Sequence, residues 1–126
     1  LASSAERDSR IVLLGFVPEQ KVADFYASID AFVFPSVNAL EAFGIAQAEA
    51  KALGIPLVTS DLPGVRTLID APKTGLLVRP GDVDSLAVGL ERVRHMQRTS
   101  PICSENTGLS AYIDLVNSLL NKKVKN

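Results

Sequence analysis

The feature that most constrains the fold is an alternation of short, continuous apolar runs with segments of helical periodicity. Four runs predict strands: residues 11–16 (IVLLGF), 31–34 (AFVF), 57–59 (LVT) and 75–78 (GLLV). Because each run is apolar throughout, it is typical of a strand buried on both faces of a parallel sheet. Strands that alternate with helices therefore predict an α/β fold, a Rossmann-like parallel sheet with helices on both faces.

The segments between the strands carry helix signals. One helix is expected to begin at Pro18, which suits a first helical turn. A second is expected over about 43–53, because Gly54 and Pro56 end it. A third is expected to begin at the N-cap Asp82. Its predicted inward face consists of Val83, Leu86, Ala87, Leu90 and Val93.

Length and composition favour one domain. The chain has 126 residues, of which 47% are apolar, so it can bury one core but not two. We expect a core over residues 10–97, a last helix at about 107–121 and a disordered tail at 122–126. The first residue is Leu1 and not methionine, which suggests an excised or processed piece.

Charge and cysteine content say which partners and compartments to expect. The formal net charge of −1 gives no overall field that would attract nucleic acid. Cys103 is the single cysteine and no apolar leader opens the chain, so a reducing cytoplasmic setting is expected. No apolar run is long enough to span a bilayer.

Glu49 is placed on the wrong face of the second predicted helix. The apolar stripe of that helix would be completed by the position that this carboxylate occupies. A buried carboxylate costs several kcal/mol unless it is paired, so Glu49 should have a dedicated hydrogen-bond donor. A structural salt bridge or a partly exposed edge position is the alternative interpretation.

The loop before this helix adds a second acid, Glu41, and then Gly44 at the expected helix start. A helix N-terminus presents free backbone N–H groups and partial positive charge, and a glycine lets an anion approach closely. The loop therefore favours a phosphate or diphosphate site. Every helix of a parallel sheet begins near the same edge, so the signal is weak alone.

The stretch 35–61, PSVNALEAFGIAQAEAKALGIPLVTSD, resembles the GT-B glycosyltransferases of the family 4 type, the glycosyl transferases group 1. It contains the two acids of an E-x7-E motif, Glu41 and Glu49, in the expected surroundings of glycine and proline. Segments similar in order and spacing flank it, and together they cover about residues 10–95. The resemblance implies the C-terminal, donor-binding domain of such an enzyme.

The resemblance also implies roles for particular residues. Glu41 would be catalytic, contacting donor-sugar hydroxyls or polarising the transferring centre. Glu49 would hold the ribose, and the amides around Phe43, Gly44 and Ile45 would cradle the diphosphate. Neighbouring positions would complete the donor site, with Phe16 and Val17 against the base: Phe16, Val17, Ser36 and Ala42. No metal and no cofactor is implied.

The implied reaction moves a sugar from a UDP-, GDP- or ADP-linked donor to an acceptor glycan or lipid, with retention of anomeric configuration. The chain departs from the family pattern, because the initial strand and the glycine-rich turn with an Arg and a Lys are missing. So is the N-terminal acceptor domain. We therefore expect a domain truncated on its N-terminal side and inactive alone. The alternative is a free-standing, non-catalytic nucleotide-sugar-binding or remnant module. Where many relatives carry a glutamate, this chain has Arg66 and Thr67, and the sequence does not say with what effect.

The remaining polar residues have ordinary explanations. His95 lies among arginines at a polar helix position and is expected on the surface, and Cys103 lacks a neighbouring His or Cys. A face carrying Arg92, Arg94 and Arg98 could touch an acidic, cytoplasmic-face membrane peripherally, although such a face is usually just solvated. The sugar, the base, the acceptor and the oligomeric state stay open.

Overall fold

A computed structural model describes residues 8–38 and 44–100. Within these ranges the first elements are helix α1 (Glu19–Ser28), strand β1 (Phe32–Phe34), helix α2 (Ile45–Ala52) and strand β2 (Leu57–Ser60). A 3-10 turn (Arg66–Leu68), strand β3 (Gly75–Val78) and helix α3 (Val83–Val93) follow. The order alternates strands with helices, as the sequence predicts.

The three strands form one parallel sheet in the order β1-β2-β3. Phe32 pairs with Leu57 at the start of β1, and Leu57 in turn pairs with Gly75. The middle strand is fully buried along its length. Gly75 has to be a glycine, because a Cβ there would lie 2.4 Å from the Leu57 carbonyl oxygen.

The core lies on both faces of the sheet, and successive residues of β2 belong to opposite faces. Leu57 packs with Tyr26 of α1 and Ala50 of α2 on one face. Val58 packs with Leu76 and Val78 of β3 and Val93 of α3 on the other face. Helices α1 and α2 thus cover one side and α3 the other, which confirms the Rossmann-like α/β layer.

The expectation of a strand at 11–16 is wrong. That segment has no strand conformation, and its side chains are exposed; Val12 is 71% and Leu14 is 59% accessible. A strand needs a neighbour to receive its backbone hydrogen bonds. Within the described residues this segment pairs with no strand of the sheet, so its apolar character does not make it one.

The expected inward face of α3 is also partly wrong. Asp82 does cap the helix, its carboxylate accepting a hydrogen bond from the Ser85 backbone N–H at 2.8 Å. The face towards the sheet, however, contains Gly89 and Val93, whereas part of the predicted stripe is exposed: Val83, Ala87 and Leu90. Gly89 lets α3 approach closely, since a Cβ there would lie 2.6 Å from Val78 Cγ1. Close helix–sheet contact through a glycine outweighs the larger apolar side chains.

The segment that follows α3 contacts the ends of α1 and α2 through Arg98 and Thr99. The Arg98 guanidinium donates to the carbonyls of Tyr26 at 2.9 Å and Ala27 at 3.2 Å, at the end of α1. The next residue, Thr99, donates its N–H to the Gly54 carbonyl at 3.0 Å. Arg98 therefore satisfies carbonyls that a helix end leaves without intrahelical donors, a role that neither a solvated nor a membrane-facing position suggests.

Two further expectations fall outside the described residues: the helix at 107–121 and the tail at 122–126. The domain limits of 1–126, with a core at 10–97, stay predictions. None of the helices within 8–38 and 44–100 has the length and apolar character needed to cross a membrane.

Candidate functional site

The carboxyl ends of β1, β2 and β3 lie at one edge of the sheet, because the strands are parallel. The loops that leave this edge begin at Pro35, Asp61 and Arg79. In open parallel sheets this edge is where ligands bind. Ser36, one of the expected donor-binding residues, is half-buried directly after β1.

Gly44 opens helix α2 in a conformation suited to glycine. It is buried and adopts φ 69° and ψ 70°, in the left-handed region that other residues rarely occupy. Its carbonyl accepts the N–H groups of Gln47 and Ala48, both at 3.1 Å. The N–H groups of Ile45 and Ala46, which come before these two, have no acceptor within the helix. They can therefore bind an anion, as the sequence predicts for this position.

Gln47 is a site-forming residue that sequence reasoning missed. Its side chain is fully buried, donates from Nε2 to the Val65 carbonyl at 2.8 Å, and accepts at Oε1 from the Thr59 hydroxyl at 2.7 Å. A Cβ on Gly44 would lie 3.2 Å from Gln47 Nε2. Gln47 thus links the start of α2 to the end of β2 and to the loop before the 3-10 turn. A polar residue at each of two buried positions, 47 and 59, was the available signal.

Glu49 has the dedicated donor that its position requires. The Tyr26 hydroxyl donates to Glu49 Oε2 at 2.6 Å, and the hydroxyl oxygen also lies 3.2 Å from the Ala46 carbonyl oxygen. Glu49 itself is half-buried, in line with a carboxylate near the inward stripe. A hydrogen bond to a charged acceptor is short and strong, so the Tyr26 hydroxyl supplies the compensation that partial burial demands. The half-buried position of Glu49 also fits the alternative of a partly exposed edge position. The expected ribose contact stays a prediction.

Other predicted site residues are differently exposed. Phe16 is 90% exposed and Ile45 is 61% exposed, while Val17 is half-buried. Phe16 and Val17 directly precede Pro18, the N-cap of α1, after Gly15, which has φ 63°. An exposed aromatic ring is able to stack on a base. The expected residues Glu41, Ala42 and Phe43 lie outside the described residues.

Basic groups at the ligand edge are present although the sequence analysis assigned them no role. The Arg66 guanidinium pairs with Asp61 at 3.1 Å and both are about half-exposed, while Arg79 pairs with Asp82 at 3.0 Å. Exposed pairs of this kind contribute little to stability. Thr67 instead bonds locally, from its hydroxyl to the Gly64 carbonyl at 2.9 Å.

The surface position expected for His95 can be compared with the structure. His95 is 76% exposed and lies 3.8 Å from Glu91, which agrees with a surface position. Among the described residues, no group of three or more His, Cys, Asp or Glu side chains is arranged to hold a metal ion.

Comparison with known proteins identifies the family. A family model described as "Glycosyl transferases group 1" matches residues 1–108. An uncharacterized glycosyltransferase of Methanocaldococcus jannaschii, MJ1607, is 40% identical over 84 residues, which cover 67% of this chain and 21% of that protein. The amylovoran biosynthesis glycosyltransferase AmsK of Erwinia amylovora is 33% identical over 66% of this chain and 21% of its own length.

A third relative, the D-inositol 3-phosphate glycosyltransferase of Thermomonospora curvata, is 35% identical over 64% of this chain and 18% of its own length. The chain thus spans about a fifth of the length of these curated relatives. The family match covers most of the chain, including α2 and the edge of the sheet where it begins. The chain belongs to the glycosyl transferases group 1 family.

Proposed function

We propose that this chain forms part of the donor-binding domain of a retaining GT-B glycosyltransferase. The observation that carries the proposal is the arrangement of α2: Gly44 opens the helix, and Glu49 is held by the Tyr26 hydroxyl at 2.6 Å beside its first turn. A helix N-terminus suits a diphosphate and an oriented carboxylate suits sugar hydroxyls. A nucleotide diphosphate sugar offers both groups.

In this proposal the amides that follow Gly44 bind the diphosphate, and Glu49 accepts hydrogen bonds from the ribose. Transfer breaks the bond between the anomeric carbon and the phosphate oxygen, so negative charge develops on the leaving nucleoside diphosphate. Fixed backbone dipoles aimed at that charge stabilise the transition state without reorganising. The site therefore needs neither metal nor cofactor in this mechanism.

Retention means that the acceptor hydroxyl attacks from the face that the diphosphate leaves. The leaving phosphate oxygen then serves as the base that takes the acceptor proton. Glu41 contacts the donor sugar, while Ser36 and Phe16 with Val17 complete the pocket for the donor and its base. These roles are part of the proposal.

The whole enzyme of the proposal contains an N-terminal domain that binds the acceptor, a glycan or a lipid. Its donor is UDP-, GDP- or ADP-linked, and it works in the cytoplasm, with peripheral contact to the inner membrane face. One of the named relatives is the amylovoran biosynthesis glycosyltransferase AmsK, and this chain covers about a fifth of each relative. We expect the isolated chain to bind a donor without transferring its sugar.

The alternative is a free-standing, non-catalytic nucleotide-sugar-binding or remnant module. Both candidates share the donor site and differ in whether an acceptor domain belongs to the same protein. A coding sequence that continues upstream with a second Rossmann-like pattern favours the enzyme. A start codon immediately before Leu1 favours the module.

Isothermal titration calorimetry of the purified chain with UDP, GDP, ADP and their sugars tests the donor site. We expect one diphosphate to bind and Glu49→Ala to weaken it by about tenfold or more, because charge-assisted hydrogen bonds contribute roughly 1.5–3 kcal/mol. Glu41→Ala should weaken the nucleotide sugar more than the free diphosphate. Glu91→Ala, which removes an exposed carboxylate of α3, is the matched control and should bind as the wild type does.

Circular dichroism of each variant establishes that it is folded before titration. Failure of the folded wild type to bind any of these ligands would contradict a working donor site. Equal affinity of wild type and Glu49→Ala would instead show that Glu49 does not contact the ligand, although the helix N-terminus could still bind it.

A further inference from the structure

The contact between Tyr26 and Glu49 joins two helices that are distant in sequence. Tyr26 lies near the end of α1, and its hydroxyl donates to Glu49 Oε2 at 2.6 Å. A phenolic hydroxyl has one proton to donate, so the short contact to Glu49 receives it in preference to the longer contact to Ala46. The longer contact, 3.2 Å to the Ala46 carbonyl, lies in the first turn of α2.

This second contact shows in which direction the carboxylate turns. Because one hydroxyl oxygen touches both Ala46 and Glu49, Oε2 of Glu49 lies beside the first turn of α2. Helical side chains in general lean towards the N-terminus of their helix. The carboxylate is therefore held on the side of α2 that leads to Gly44 and to the ligand edge.

The Tyr26 ring is itself fixed, so the hydroxyl has a defined position. Tyr26 is only 5% exposed and packs in the core with Ala50, Ile55 and Leu57. Its ring centroid is 5.4 Å from that of Phe25 and 6.1 Å from that of Phe32. A ring packed on several sides has little rotational freedom, so its hydroxyl can orient Glu49 with little loss of entropy on ligand binding.

We propose that Tyr26 is a positioning residue that orients Glu49 to select ribonucleotides over 2′-deoxyribonucleotides. The inference rests on the proposed function, since it takes the Glu49 carboxylate as the group that accepts ribose hydroxyls. A carboxylate offers about four acceptor positions, so the bond from Tyr26 is compatible with hydrogen bonds to a ligand. Two hydroxyls on one carboxylate require a fixed orientation, which Tyr26 supplies.

The ratio of affinities for a ribonucleoside diphosphate and its 2′-deoxy analogue is the informative quantity. A site built to bond a hydroxyl rejects the ligand that lacks it, because its polar group loses a partner. In the wild type we expect the ribonucleotide to bind roughly tenfold or more tightly. Glu49→Ala should bring the ratio close to one, and Tyr26→Phe should lower it by roughly threefold to tenfold.

Calorimetric titration of UDP, GDP and ADP against their 2′-deoxy analogues measures these ratios. Tyr26→Phe keeps the ring in the core and removes only the hydroxyl. Ile29→Val, in the same cluster, is the matched control for a loss of packing and should leave the ratio unchanged. Should Tyr26→Phe not fold, Glu49→Asp draws the carboxylate away from the hydroxyl and should lower the ratio similarly.

A double variant separates positioning from general stability. If Tyr26 acts through Glu49, adding Tyr26→Phe to Glu49→Ala changes the ratio no further. A wild-type ratio in Tyr26→Phe, with only its unfolding temperature lowered, would overturn the inference while donor binding stands. Failure of the wild type to bind any diphosphate would overturn the proposed function and this inference with it.

Discussion

At the scale of single residues, the start of α2 depends on a glycine in an unusual conformation next to a buried amide. Gly44 has φ 69°, and a Cβ at this position would meet the side chain of Gln47, which is fully buried. Both the left-handed conformation of Gly44 and the packing of the Gln47 side chain therefore restrain the backbone at this point. A rigid helix start is what a site that binds through backbone N–H groups requires.

Gly44→Ala should lower the free energy of unfolding by about 1–2 kcal/mol, because the left-handed conformation disfavours a Cβ by that amount. The added methyl also meets Gln47 atoms at 3.1–3.2 Å. Gly81→Ala is the matched control, since Gly81 has φ 70° but nothing lies within 4 Å of its Cβ position. Urea unfolding should show the larger loss for Gly44→Ala; equal losses would contradict a packing role for Gln47.

Gln47 and Thr59 should be energetically coupled. Gln47→Leu leaves the buried Thr59 hydroxyl without its acceptor and the Val65 carbonyl without its donor, which should cost about 2–6 kcal/mol at about 1–3 kcal/mol per group. Thr59→Val alone should also destabilise. The double variant should cost less than the sum of the two, by about 0.5–3 kcal/mol. Urea unfolding of all four proteins measures the difference, and simple additivity would contradict the hydrogen bond.

The sequence could predict some of these residue-level features and not others. A carboxylate on the inward side of α2 implies a donor, and Glu49 has one. The identity of that donor could not be predicted, because Tyr26 is 23 positions away and comes to α2 only through packing. Gln47 was missed for the same reason: its partner Thr59 is on another element. Glu41 stays a prediction from the motif.

At the scale of elements, close contact between α3 and the sheet decides which face of the helix is buried. Gly89 packs against Val58 and Val78, and Val93 completes the contact. Leu90 is 39% exposed, although it has a large apolar side chain and the neighbouring Gly89 has none. A prediction from hydrophobic periodicity follows the large apolar side chains. It therefore placed the buried face of α3 on Val83, Ala87 and Leu90 instead of on Gly89, where the helix comes closest to the sheet.

Gly89→Ala should destabilise the protein although alanine is the better helix former. The gain in helix propensity is about 1 kcal/mol, while overpacking a core contact costs about 1–3 kcal/mol. The new methyl would lie 2.6 Å from Val78 Cγ1, so α3 has to move off the sheet. Thermal unfolding should therefore occur at a lower temperature.

Val88→Ala is the control for this substitution, because Val88 is 59% exposed on the same helix. It should change the free energy of unfolding by no more than about 0.5 kcal/mol. A Gly89→Ala protein that is more stable than the wild type would show that α3 does not approach the sheet as closely as described.

At the scale of the whole molecule, residues 8–38 and 44–100 form a core of three parallel strands with helices on both faces, and the segment 11–16 stays outside it. The central strands were predictable because each is short, apolar and bounded by glycine or proline. The segment 11–16 has the same composition but no neighbouring strand among the described residues. An apolar run thus predicts a strand only where the rest of the chain supplies an edge.

The same substitution, leucine to alanine, made at two positions tests whether the segment 11–16 lies outside the core. Leu57→Ala should cost about 2–5 kcal/mol, because Leu57 is fully buried in the middle strand. Leu14→Ala should change stability by no more than about 0.5 kcal/mol, since Leu14 is 59% exposed. Urea unfolding compares them, and a comparable loss at Leu14 would mean that 11–16 belongs to the core after all.

Binding of a nucleoside diphosphate at the start of α2 is tested by an experiment that reports both whether the ligand binds and where it binds. The backbone amide signals of the isotopically labelled chain, followed by nuclear magnetic resonance during titration with UDP, GDP and ADP, report both. The account predicts saturable shifts for one of the three, largest at Gly44, Ile45 and Ala46 and present at Phe16 and Val17. Shifts that centre elsewhere, or none with any of the three, would contradict it.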